Sequence, residues 1–160
     1  MESEYINQQN KTMKLPKIEI AIKYRGALKS ELKTITGSQD VYNICNVMFD
    51  SDIIDWQEQV IMICLNQANK VLGYHKVSSG GLNSAIMDPR VIFTVALNCA
   101  GTTSIILAHS HPSGNLRPSY QDDAMTEKIK NAGELLDIKL RDHLIITSEG
   151  YYSYVDENKL

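Results

Sequence analysis

The stretch from Ser104 to Gly114 reads SIILAHSHPSG, an apolar run that ends in two histidines and a Pro-Ser-Gly turn. The apolar run is typical of a strand that is buried in a sheet. On a strand, His109 and His111 point to the same face, with Cα atoms about 6.6 Å apart. Two imidazoles at this separation can converge on one ion, and neutral imidazole is a common ligand of Zn²⁺. The alternative interpretation is that one histidine packs in the core and the other is solvated.

A third candidate ligand follows the two histidines. Asp122 comes eleven residues after His111 and three after Ser119, at the start of a predicted helix. A catalytic zinc site has three protein ligands and an open position for water, and His109, His111 and Asp122 supply that number. Ser119 and Asp122 also match a capping box, which requires no metal. A side chain in the first helical turn can serve either purpose, so the spacing leaves both interpretations open.

Strand and helix patterns are mixed along the chain. Apolar alternation or apolar runs predict strands over Lys17–Tyr24, Glu58–Leu65, Val71–Val77, Ser104–His109 and Ile138–Thr147. The segment Asn66-Gln67-Ala68-Asn69 between the second strand and the third predicts an antiparallel hairpin with a four-residue loop. Helical spacing predicts helices that begin at Ser38 or Asp40, at Asp88-Pro89 and at Ser119. The expected fold class is α/β, a single domain with one mixed sheet flanked by helices in two or three layers.

The same spacing predicts which helix faces are buried. The second helix would carry Val91, Val95 and Cys99 towards the core and end near Gly101. The third helix would carry Met125, Ile129, Ala132 and Leu136.

Length and composition limit the class of protein. The chain has 160 residues, 43% hydrophobic and 22% charged, which fits one globular domain and excludes wholesale disorder and an eight-stranded β/α barrel. We expect a polar lead-in over residues 1–15 and the domain over 16–160. The longest apolar run, Val60–Leu65, is too short to span a bilayer. The acidic start Met1-Glu2-Ser3-Glu4 is unlike a signal peptide, so we expect a cytoplasmic protein without membrane contact. The three cysteines are predicted to be buried free thiols.

The net charge of −3 excludes a global attraction for nucleic acid. Charge is uneven, however, because the stretch from Lys11 to Lys33 contains seven basic and two acidic residues. Such a stretch is either a phosphate-binding arm or a solvated strand and loop.

The string His109-x-His111-x₇-Ser119-x₂-Asp122 matches the JAMM motif of the JAB/MPN metalloprotease superfamily. The longer pattern resembles the bacterial RadC branch of that superfamily. Five segments carry the resemblance: His109–Gly114, Pro118-Ser119, Asp88–Arg90, Asp142–Ile145 and Gly150–Ser153. The similarity runs from Ile18 to Tyr154, and its core motif region covers residues 58–155.

This resemblance implies a curved mixed sheet of the JAB/MPN type, with a cytidine-deaminase-like architecture. It implies one Zn²⁺ per chain held by His109, His111 and Asp122, with Ser119 hydrogen-bonded to an oxyanion. It also makes Glu58 the general base, a role that rests on the resemblance alone. The implied activity is that of a zinc-dependent metallohydrolase that cleaves a peptide or isopeptide bond with metal-activated water.

Alternatives remain open at this point. The first is a DNA repair or recombination accessory protein that binds DNA or a partner protein without catalysis. Its weak support is the stretch from Lys11 to Lys33, and no helix-hairpin-helix pattern precedes the first matched helix. The second is a structural module that keeps the metal. The substrate, an unidentified peptide or protein, and the oligomeric state are not predicted.

Two further polar residues are singled out near the motif. Proteins of the RadC branch more often have Asn at the position that Ser110 occupies in this chain. We expect Ser110 to face away from the ion, with little effect on metal binding. His143 either hydrogen-bonds a group next to the metal site or is an ordinary polar residue at a strand start.

Overall fold

The structure is a computed structural model that describes residues 5–8, 11–14, 17, 31–80 and 87–160. The elements of these ranges are, in chain order, β1 (Tyr5–Gln8), β2 (Lys11–Lys14), α1 (Ser38–Met48), β3 (Gln59–Leu65), β4 (Val71–Ser79), α2 (Pro89–Asn98), β5 (Ser104–Ser110), α3 (Tyr120–Leu135), β6 (Lys139–Thr147) and β7 (Gly150–Ser153).

The main sheet of the described residues has the strand order β4-β3-β5-β6-β7. β5 and β6 are parallel, whereas the other neighbouring pairs are antiparallel. Every residue of the central strands β3 and β5 is buried, which explains their continuous apolar sequences. The sheet confirms the predicted α/β class and the β3–β4 hairpin. β4 extends past the predicted end at Val77 to Ser79.

Two hydrophobic clusters cover the two faces of the sheet, so the domain has three layers. One cluster packs α1 against the sheet through Val41, Cys45, Ile61, Ile63, Ala108 and Leu144. The other packs α2 and α3 against the opposite face through Met62, Ile92, Phe93, Leu107 and Ile129. Neighbouring residues of a strand therefore contribute to different layers, as the pleat requires.

The helix starts are partly as predicted. Asp88 caps α2 by accepting a hydrogen bond from the backbone N–H of Arg90, which confirms the predicted Asp-Pro start. The predicted caps of α1, Ser38 or Asp40, are wrong. Gly37 is the N-cap residue, and the Asp40 carboxylate reaches back to accept from the backbone N–H and the hydroxyl of Thr36.

The predicted face of α2, which carries Val91, Val95 and Cys99, is confirmed only in part. Val91 is 39% exposed, and the residues that enter the core are Ile92, Phe93 and Ala96. Val95 and Cys99 are partly buried and pack against the core, and the helix ends at Asn98, three residues before Gly101.

The predicted face of α3 is correct at its centre. Ile129 is fully buried, and Met125 and Ala132 pack against the core. Leu136 lies beyond the helix and is 38% exposed, so it does not belong to that face. Thr126 and Gly133 are buried there instead.

The structure describes only part of the N-terminal region for which the sequence made predictions. In the lead-in, β1 and β2 pair as antiparallel strands, where the sequence predicted no element. The strand expected over Lys17–Tyr24 lies outside the described residues except for Lys17. The domain boundary at residues 15 and 16 therefore stays a prediction.

The cysteines are free thiols, as predicted. Burial raises the pKa values of Cys45 and Cys64 to about 12, whereas Cys99 is only partly buried. No helix within the described ranges combines the length and the apolar character needed to cross a membrane.

Gly133 is required where the end of α3 meets the start of β6. A Cβ atom at this position would clash with the backbone oxygen of Ile138, whose N–H donates to the Gly133 carbonyl. We expect Gly133→Ala to lower the free energy of unfolding by about 1–3 kcal/mol, because the backbone of Ile138 must shift. Urea unfolding measures this effect. Glu134→Ala, at the neighbouring exposed position, is the control, and an equal loss in both variants would contradict the steric explanation.

Candidate metal centre

Three predicted ligands converge at one end of the sheet. The Nε2 atoms of His109 and His111 are 2.9 Å apart. Oδ1 of Asp122 lies 3.2 Å from Nε2 of His109, and Oδ2 lies 3.5 Å from Nε2 of His111. One potential ligand atom of each residue lies within 4.8 Å of those of the other two, so the group could hold a metal ion.

Strand geometry brings the two histidines to one face. His109 is the penultimate residue of β5 and is 1% exposed. The backbone N–H of His111 donates to the carbonyl of Ile146 on β6, so the extended geometry continues past the last residue of β5. The predicted i, i+2 alternation therefore holds through His111.

Asp122 is shared between a helix cap and the histidines. Its Oδ2 accepts hydrogen bonds from the backbone N–H and the hydroxyl of Ser119, at 2.7 and 2.6 Å. The Asp122 N–H donates to Ser119 Oγ, which completes a capping box. The sequence left the capping box and the metal ligand as alternatives, but the structure shows that one carboxylate is placed for both.

The charge of Asp122 is strongly stabilised. Burial by itself would raise the pKa of this carboxyl, but the neighbouring imidazoles of His109 and His111 and the hydroxyl of Ser119 outweigh burial and hold the pKa well below its ordinary value. The side chain is therefore a carboxylate at any physiological pH.

Asn115 determines the tautomer of His111. Nδ1 of His111 lies 2.6 Å from the backbone carbonyl of Asn115, which can only accept, so Nδ1 carries a hydrogen. In the neutral ring the lone pair is then on Nε2 and faces the centre. Burial lowers the pKa of His111, but Asp122, Asn115 and then Glu58 raise it, and the net shift is upward.

His143 supports His109 from behind. Its Nε2 lies 2.8 Å from Nδ1 of His109, and its Nδ1 lies 2.6 Å from the hydroxyl of Thr126. Of the two interpretations of His143, the structure therefore favours contact with a candidate ligand. Burial and the neighbouring His109 lower its pKa well below the ordinary value, so the ring is neutral. Thr126 was not identified from the sequence.

The chemistry of this group fits a divalent metal of the zinc type. If both rings presented Nε2 lone pairs, as metal binding requires, the two nitrogens 2.9 Å apart and the carboxylate beside them would repel unless a cation lay between them. Two imidazoles and a carboxylate are typical ligands of Zn²⁺, whereas Mg²⁺ and Ca²⁺ prefer sites made of oxygen atoms alone.

Glu58 lies immediately before the first residue of β3. The pairing of β3 with β5 ends at Val60 and His109, and the same antiparallel register continued by two residues would place Glu58 opposite His111. Residues 58 and 60 share a strand face, and this is the face of the candidate ligands. Consistent with this position, the charge of Glu58 contributes to the raised pKa of His111.

Ser110 lies between the two histidines and is fully buried. Its hydroxyl accepts a hydrogen bond from the backbone N–H of Gln59 and donates to the carbonyl of Gln57. Ser110 therefore holds the backbone on both sides of Glu58, a function that its position in the motif did not indicate.

A family model described as the RadC-like JAB domain matches residues 35–160 of this chain. The chain therefore belongs to the RadC-like JAB domain family, as the motif resemblance predicted.

Curated relatives agree with this assignment. The chain is 41% identical over 140 residues to a UPF0758 protein of Flavobacterium johnsoniae, covering 88% of this chain and 59% of that protein. It is 33% identical over 147 residues to a UPF0758 protein of Thermotoga maritima, covering 89% and 64%. A UPF0758 protein of Methanosarcina barkeri is 34% identical over 139 residues, covering 87% and 59%. The chain thus spans about three fifths of the length of these relatives.

The position of Ser110 yields a prediction that separates stability from metal binding. Ser110→Ala leaves the buried N–H of Gln59 without its acceptor, which is expected to lower the free energy of unfolding by about 1–3 kcal/mol. Zinc affinity is expected to change less than about twofold, because the side chain at 110 points away from the ligands. Urea unfolding of the metal-free protein and chelator competition measure the two quantities.

Ser148→Ala removes an exposed hydroxyl from the turn between β6 and β7 and is the control for both measurements. A loss of zinc affinity in Ser110→Ala of about the tenfold or more that is typical for residues around a metal site would contradict the assigned orientation.

Proposed function

We propose that this domain is a zinc-dependent hydrolase that cleaves a peptide or isopeptide bond. The observation that carries the proposal is the convergence of the two Nε2 atoms and the Asp122 carboxylate, with the outer nitrogens of both histidines in hydrogen bonds. Such a set leaves room for a fourth ligand, as catalytic zinc sites require. Membership in the RadC-like JAB family supports the same function.

In this proposal His109, His111 and Asp122 hold the ion. The chemistry that zinc supplies in such a site is polarisation of a carbonyl and a lowered pKa of coordinated water, from 15.7 towards about 7. The buried His109, the partly buried His111 with its bond to Asn115, and the capped carboxylate have few alternative conformations, so the ligands are ordered in advance.

Glu58 acts as the general base and acid. Its carboxylate accepts a proton from the attacking water and later delivers a proton to the leaving amine. Its position opposite His111, with the flanking backbone held by Ser110, supports this role. Ser119 hydrogen-bonds the oxyanion that develops on the substrate, which requires its hydroxyl to turn from Asp122 Oδ2.

The substrate is a peptide or protein whose identity is left open. DNA binding without catalysis is the alternative, and most of the basic stretch that supports it lies outside the described residues. That alternative and the cytoplasmic location therefore stay predictions.

Metal content tests the site directly. We expect about one zinc ion per chain in the purified wild-type protein and none in His109→Ala/His111→Ala, because one carboxylate cannot hold the ion alone. Elemental analysis after identical purification measures both. His75→Ala is the matched control, since it removes a histidine outside the group and should keep the zinc.

The opposite result is equally clear. A folded wild-type protein that takes up no zinc on incubation would sink the proposal and leave Ser119 and Asp122 as a helix cap.

Activity tests Glu58. Glu58→Gln is expected to retain zinc and to lower kcat by about 10²–10⁴-fold, because the amide cannot accept the proton. Cleavage of a peptide library and of lysine-linked isopeptides, followed by mass spectrometry, identifies a substrate on which kcat is then measured. Glu127→Gln, on the exposed side of α3, is the control. Equal rates for wild type and Glu58→Gln would remove Glu58 from the mechanism.

A further inference from the structure

We propose that His143 and Thr126 hold His109 in the tautomer that presents Nε2 to a metal, through a hydrogen-bond chain that ends on the backbone carbonyl of Asp122. The inference rests on the proposed zinc site and adds two positioning residues to it. Neither residue would touch the ion or the substrate.

The hydrogen-bond chain runs through the core between the sheet and α3. Nδ1 of His109 lies 2.8 Å from Nε2 of His143. Nδ1 of His143 lies 2.6 Å from Oγ1 of Thr126, and this hydroxyl lies 2.6 Å from the Asp122 carbonyl. His143 is 0% exposed and Thr126 is 3% exposed, so water does not compete for these contacts.

The carbonyl at the end of the chain sets its direction. The Thr126 hydroxyl has one hydrogen, and a carbonyl oxygen can only accept. With this hydrogen directed to Asp122, the hydroxyl accepts from Nδ1–H of His143. In the reverse direction the two oxygens would be 2.6 Å apart with no hydrogen between them, which is repulsive.

The direction of the hydrogen-bond chain then determines the tautomers of both histidine rings. A neutral His143 that carries its hydrogen on Nδ1 has a lone pair on Nε2, and this lone pair accepts from Nδ1–H of His109. His109 consequently has its own lone pair on Nε2, on the side of His111 and Asp122. The reverse direction would place a hydrogen on Nε2 of His109 and prevent it from binding a metal.

Packing keeps the His143 ring in the required plane. The ring of Tyr154 lies nearly parallel to it, with an interplanar angle of 7° and centroids 5.1 Å apart. The Tyr154 hydroxyl donates to Asp123, and the Tyr154 N–H donates to the carbonyl of His143. A ring flip of His143 would therefore disturb both the stack and the hydrogen-bond chain.

A pair of threonine variants tests the hydroxyl. Thr126→Val has nearly the same shape but no hydroxyl, and we expect it to weaken zinc binding about 10–100-fold, as is typical for residues that orient metal ligands. Thr126→Ser retains the hydroxyl and is expected to bind zinc within about twofold of wild type. Chelator competition measures the affinities, and thermal unfolding of the metal-free variants shows whether each one folds.

A second measurement needs neither a variant nor zinc. Nitrogen-15 NMR of the histidine rings in the metal-free wild-type protein reports which nitrogen of His143 carries the hydrogen. We expect it on Nδ1 at about pH 8, where histidines of ordinary pKa are neutral. A hydrogen on Nε2 would overturn the inference even if Thr126→Val fails to fold.

The outcomes separate this inference from the proposed function. A wild-type protein that binds no zinc refutes the proposed function, while the His143 tautomer still tests the direction of the chain. Zinc binding that is equal in wild type and Thr126→Val refutes the inference alone. Equal weakening in Thr126→Val and Thr126→Ser also refutes it, because packing rather than the hydroxyl would then control affinity.

Discussion

The carboxylate of Asp122 serves the fold and the candidate metal centre at the same time, and the arrangement of the centre depends on this sharing. Oδ2 closes the first turn of α3 with Ser119, while Oδ1 faces His109. A negative side chain is favoured at a helix N-terminus, where unpaired N–H groups create a partial positive charge. The cap therefore orients the carboxylate without any cation. Loss of the cap would disturb the start of α3 and the ligand set together.

The topology explains why this helix start meets the two histidines. β5 and β6 are parallel and α3 connects them, so the chain must return along the sheet before β6 begins. The N-terminus of α3 then lies at the carboxyl end of β5, where His109 and His111 are found. Sites of α/β proteins commonly form at the carboxyl ends of parallel strands for this reason. The single parallel pair in the described sheet is thus the one that builds the centre.

Local patterns made most of the centre predictable. The alternation of a strand places His109 and His111 together, and the Ser119–Asp122 spacing marks a helix start. The buried face of α2 was not predictable in the same way, because PRVIFTVALN is apolar on nearly every side and packing against the sheet selects the core residues. No local sequence pattern indicated the contact of Thr126, since its partner His143 lies seventeen residues away on β6. The polar pair Asp142-His143 at the start of an apolar run was the one signal available, because buried polar groups require partners.

The end of β5 divides its contacts between the two faces of the sheet. His109 and His111 face α3 and Asp122, whereas Ser110 faces the other layer and binds the backbone around Glu58. Gln59 extends this second set, since its side chain exchanges hydrogen bonds with the backbone of Asp50. One strand end therefore holds the candidate ligands on one face, and from the other face its Ser110 holds the backbone on both sides of Glu58. Because the pleat alternates strictly, a shift of register by one residue would exchange the two sets and destroy both.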